Sequence, residues 1–138
     1  MARASAASVS AERTVTSGRA YGVNREHATD RLSAWAARAQ HEAQEADTRE
    51  DILNWQGQAQ VLGSTATYLG GPGANQSDAH IWKQIVSDRQ SALAAWEREQ
   101  YGDQAMFHAG RVAGYDVALT ILADVMGRTY EDNALRYG

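Results

Sequence analysis

Cysteine is absent from the chain. This excludes a disulfide scaffold, a thiol nucleophile, thiolate zinc sites and cysteine-held iron–sulfur clusters. Long apolar runs are absent as well. With no stretch of about 18 apolar residues, nothing in the sequence is expected to span a membrane. The N-terminus has no apolar core of the kind a secretory signal needs, so a cytoplasmic or virion location is expected. Lysine is nearly absent: of the 13 Lys and Arg residues, Lys83 is the one lysine and 12 are arginine. Together with abundant alanine, that bias fits a GC-rich genome, such as that of an actinobacterium or one of its phages. Proline occurs once, at Pro72. Strand signals, runs of β-branched and aromatic residues in alternation, are nearly missing.

What is present fits one domain. The chain has 138 residues, 43% of them hydrophobic and 22% charged, enough to bury well over half of its unfolded surface. The net charge is −4, a balance that disfavours a protein built to grip nucleic-acid phosphates. The charge is uneven. Residues 1–28 are rich in Ala, Ser, Gly and Arg, and Arg3, Arg13, Arg19 and Arg25 against Glu12 and Glu26 leave them at +2. Residues 29–138 therefore carry −6. Residues 1–28 read as an irregular basic arm, either solvated or ordered on a neighbouring subunit. Their Arg- and Ser-rich composition is also that of a transit peptide. A short hairpin around Ser17-Gly18 is one conformation open to them.

From Thr29 the pattern is helical, and residues 29–138 are expected to form a single all-α bundle of four main helices plus a short C-terminal one. In the first helix, Leu32, Ala36, Ala39, Ala43 and Ala46 share a face built mostly of alanine, with Trp35 alongside. Asp47-Thr48 interrupts, and Thr48 is placed to cap a second helix. Its stripe is Ile52, Trp55, Ala59, Leu62, Ala66 and Leu69. One continuous helix across the junction is the alternative, since no Gly or Pro breaks it there. Gly70-Gly71-Pro72-Gly73 is the strongest break in the chain. Ser77 caps a third helix whose apolar residues include Ile81, Trp82, Ile85, Val86, Ala92, Leu93 and Trp96. Gly102 ends it and Asp103 is expected to cap the fourth, most apolar helix. Gly127 suits a helix C-terminus, and Thr129 caps the last helix.

Catalytic constellations are missing from this pattern. The histidines are His27, His41, His80 and His108, and no two stand three or four residues apart. The paired Glu and Glu-x-x-His motifs of a carboxylate-bridged di-metal bundle do not occur. Glu42 and Glu45 lack the second acidic helix motif that an all-α nucleotide pyrophosphatase needs to hold magnesium. There is no Gly-x-Ser-x-Gly, and the Gly70–Gly73 loop lacks the Gly-Lys-Ser/Thr ending of a phosphate cradle. No cofactor and no metal is implied.

Two groups of residues remain as candidates. Gln104, His108, Arg111 and Tyr115 are spaced 4-3-4 along the fourth helix, a row that can meet an anionic ligand through Arg111, with a facing acid from the first or third helix. The interface candidates are Arg3, Arg13, Arg19 and Arg25 of the arm, Trp82 after the long loop, and the Gly110-x-x-x-Gly114 pair. Small residues at that spacing let another helix approach, within the chain or from a second subunit. The leading expectation is a non-enzymatic protein that works by contact with a protein partner or with itself, such as a small component of a phage or actinobacterial assembly. A small anionic ligand- or nucleotide-binding bundle using the polar row, either a binding protein or an enzyme, is the alternative, and nucleic-acid binding through the arginine arm is the third.

Overall fold

The computed structural model describes residues 17–138, with side chains from Arg25 onward. Arg3, Arg13 and the side chain of Arg19 lie outside the described residues. Five helices follow in order: α1 Ser17–Glu45, α2 Arg49–Gly70, α3 Asp78–Arg98, α4 Ala105–Val125 and α5 Tyr130–Tyr137. The described residues contain no strand. The expected four main helices and short C-terminal helix are therefore present. None of these helices is long and apolar enough to cross a membrane.

The helix boundaries follow local chemistry. Thr48 is extended and its hydroxyl accepts from the Asp51 amide, so α1 and α2 are separate helices and not one. Ser77 does the same for α3 by accepting from the His80 amide. Thr129 and Asp132 form a reciprocal capping box on α5, the arrangement that satisfies two free helix N–H groups at once. Gly127 takes φ +75 after α4, a conformation that costs glycine nothing.

Two expectations are corrected. The first helix begins at Ser17, ahead of the expected start at Thr29, so Ser17-Gly18 opens a helix and forms no hairpin turn. The extension has a physical support, since Arg25 and Ala28 are both buried against the body of the protein. Asp103 does not cap the fourth helix. The Gly102 amide donates to Glu99 and the Ala105 amide to Gly102. These tight turns leave Gln104 at the N-cap, with φ −95 and ψ 5 and no side-chain cap bond.

Helix α4 is the centre of the fold. It packs against α1, α2, α3 and α5, whereas α3 approaches neither α1 nor α2 closely among the described residues. Its sequence explains the position, because a helix that is apolar on most sides must be covered on most sides. Leu119, Ile121, Leu122 and Ala123 are buried in a cluster with Leu32, Leu62, Leu69, Ile81, Trp82 and Ile85. Trp82 is only 1% exposed and meets the Tyr130 ring edge-on at 5.5 Å.

The α2–α4 crossing is set by glycine. A Cβ on Gly57 would overlap the Phe107 carbonyl oxygen, and one on Gly110 would overlap the Asn54 carbonyl oxygen. At Gly114 a Cβ would stand 3.0 Å from Val61 Cβ and 3.2 Å from the Gln58 backbone. The Gly110-x-x-x-Gly114 face is thus covered within the chain by α2, which removes both glycines from the interface candidates. Gly63, on the outer side of α2, has no atom within 4 Å of where its Cβ would be.

The same substitution should therefore have opposite signs at different glycines. Gly57→Ala and Gly110→Ala should each lower stability by about 1–3 kcal/mol through overpacking. Gly63→Ala should raise it by about 0.5–1 kcal/mol through helix propensity. Urea unfolding of the three variants measures this directly.

Candidate functional site

The polar row of the fourth helix lies as its spacing requires, on one side of α4, and it is drawn into the contact with α3. Gln104 is exposed at the helix start, while His108, Arg111 and Tyr115 are half-buried. Arg111 Nη1 donates to His108 Nδ1 at 3.3 Å. That geometry puts the ring proton on Nε2, which faces Glu99 Oε2 at 3.3 Å. Glu99 follows the end of α3, so the facing acid comes from the third helix. Tyr115 completes the row: burial pushes its hydroxyl above the ordinary tyrosine range, the Asp88 carboxylate on α3 adds to this, and Arg111 opposes it. At the next residue on each helix, Arg89 Nε donates to Asp116 Oδ1 at 2.7 Å, tying α3 to α4 again. Arg111 Nε is buried without a hydrogen-bond partner among the described residues.

This arrangement is a polar seam between two helices. Its cation, imidazole and carboxylates are largely engaged with one another. Among the described residues, no cluster of three or more His, Asp or Glu residues is arranged to hold a metal ion.

A second constellation was not read from the sequence as a unit. Arg25, one of the proposed arm residues, is 9% exposed. Its guanidinium donates to the carbonyl oxygens of Gly73 at 2.6 Å and Ala74 at 2.8 Å, and also to that of Gln76. It stands 3.3 Å from Asp78 Oδ1 at the start of α3. The planar fork suits this task, because five fixed donors can serve several acceptors together. The Gly70–Ser77 loop is further ordered by Gly71 and Gly73 amides donating to Tyr68. Arg25 is thus occupied inside the chain and is not a free arm residue. Its signal in the sequence was a single arginine about one turn before the helical pattern that begins at Thr29, which nothing linked to a loop 48 residues away.

The tryptophans sort differently from expectation. Trp82 is a core residue and is removed from the interface candidates. The exposed one is Trp35, at 38%, with the Arg38 guanidinium 5.4 Å from its ring. Trp and Arg are the side chains most enriched at the energetic centres of protein interfaces.

Comparison with known protein families, with curated proteins and with solved structures finds no match to this chain.

Two outcomes test these constellations. Arg25→Met should cost about 1–3 kcal/mol, since it strands the buried Gly73 carbonyl and removes the bonds to two partly buried ones, and Arg25→Lys should recover only part of it, as one ammonium cannot reach all of them. Urea unfolding of both variants checks this. The raised Tyr115 means that the fold favours the neutral phenol. Its contribution is fully present below the unfolded tyrosine value of about 10 and is lost as pH rises through the folded value. Tyr115→Phe should flatten the fall in stability between about pH 9 and pH 11, with the remainder coming from Tyr130, which burial raises in the same direction.

Proposed function

We propose that this is a non-enzymatic contact protein, a small subunit that works by binding a protein partner in a larger assembly. The observation that carries the reading is the Trp35–Arg38 pair on α1. A large aromatic side chain left over a third exposed costs solvation, and here a cation is held against its face. This is the chemistry of a binding anchor. The rest of the molecule is consistent with a scaffold role. The polar row on α4 meets the end of α3 through His108 and Glu99, and the Gly-rich loop is closed by Arg25. A phage or actinobacterial assembly is the setting that the arginine and alanine usage favours.

The test is capture with the immobilised full-length chain from a lysate of the organism that carries its gene. A protein retained in stoichiometric amount by the wild type should be lost with the Trp35→Ala, Arg38→Ala double variant. That variant should keep the wild-type circular dichroism and fold cooperatively, with a loss of about 1–3 kcal/mol from the covered part of the Trp35 ring. Equal retention by both proteins would exclude this patch as the contact.

A further inference from the structure

Among the described residues, the α1–α2 layer is covered by α4 on one side only. On its other side the two antiparallel helices enclose a continuous shallow groove. One stretch of about 500 Å³ is bordered by Gln40, Ala43 and Gln44 of α1 and by Gln56, Ala59 and Gln60 of α2. The next, of about 370 Å³, shares Gln40 and runs on past Ala37, Ser33 and Thr29, opposite Gly63, Ala66 and Thr67. No residue bordering either stretch is charged, in a chain whose net charge is −4.

We infer that this groove is the face on which a second copy of the chain docks, forming a reversible homodimer. Three properties select that occupant. First, Gln40 and Gln44 on α1, and Gln56 and Gln60 on α2, are exposed one helical turn apart, and their amides have no partner among the described residues. An amide is donor and acceptor at once, so a row of glutamines is complementary to a copy of itself, as a two-fold contact requires. Second, two acidic copies repel each other wherever their carboxylates meet, and a groove free of charge is where they can approach. A charged partner finds nothing there to pair with. Third, the alanines, Gly63 and the small hydroxyl residues let helix axes come close, because interaxial distance is set by the side chains at the contact.

Size decides the strength. Thr29 to Gln44 spans about 22 Å of helix, and two helices side by side are about 20 Å wide. The face is therefore on the order of 450 Å² per copy, or about 900 Å² in total, which is below the range of permanent dimers and within that of transient ones. The groove does not include Trp35 or Arg38, so the inference stands apart from the proposed partner contact.

The test is sedimentation equilibrium of the full-length chain from low to high micromolar concentration. The mass should rise from 15.0 kDa towards twice that value. Gln40→Glu with Gln60→Glu sets like charges against each other across the two-fold and should hold the protein at monomer mass, with unchanged circular dichroism. Trp35→Ala should dimerise as the wild type does. Because the chain has no cysteine, Gln40→Cys supplies a second readout, forming a disulfide-linked dimer on mild oxidation where Ser91→Cys on α3 does not. A monomer at every concentration overturns the inference and leaves the Trp35 contact standing. A dimer that persists with the two glutamates, or that is lost with Trp35→Ala alone, also overturns it and moves self-association to the other face of α1.

Discussion

The near-contact of the α2 and α4 backbones is the constraint on which the rest of the structure depends. Two carbonyl oxygens, those of Phe107 and Asn54, occupy the places where side chains at Gly57 and Gly110 would begin. With α2 held this close, one side of α4 is covered by main chain and small groups. Its other sides are left for larger partners: α3 with Trp82 and Ile85, α1 with Leu32, and α5. The fold is less a ring of four equal helices than a central rod with four neighbours. Alanine in α1 follows the same logic, since α1 must lie over a helix whose own outer surface is small.

Close packing around one rod leaves a problem at the end where α1, the long loop and α3 come together. Helices α1 and α3 do not pack directly along their lengths, and at that end Ala28 of α1 and Ile81 of α3 share a small cavity with Leu122 and Val125 of α4. Arg25 supplies the connection through hydrogen bonds, reaching from α1 to three loop carbonyls and to the first residue of α3. The α3–α4 seam at the other end is built from a histidine, an arginine and a carboxylate, and the two ends are therefore closed by different chemistry.

The helix pattern was legible because apolar spacing and capping residues are local signals. Thr48, Ser77, Gly127 and Thr129 each act at the position their chemistry indicated. What was not legible depended on distant partners. The 4-3-4 spacing placed His108, Arg111 and Tyr115 on one face, but only the position of Glu99 and Asp88 shows that this face meets α3. The glycine pair at 110 and 114 announced a close approach without saying to what, and the answer needed Gly57, which reads in isolation as a helix-weakening defect. Trp82 stands among the apolar residues of its helix and Trp35 beside an alanine face, and neither pattern says which ring is covered. Which one is covered follows from α5 folding back over Trp82. Arg25 fell in a stretch of biased composition, which read it as solvated or as a contact to a neighbouring subunit and gave no sign of a partner within the chain.

The Arg25 latch has a consequence for how this chain can change. The guanidinium binds main-chain oxygens, and every residue type offers the same oxygen. Positions 72, 74, 75 and 76 can therefore exchange side chains while the latch reads an unaltered set of acceptors. Gly73 is the exception, because a Cβ there would press against the Tyr68 ring at 2.8 Å. The loop is thus a surface whose outward chemistry can drift between relatives while its path stays fixed, a rigid mount for variable groups at one end of the bundle.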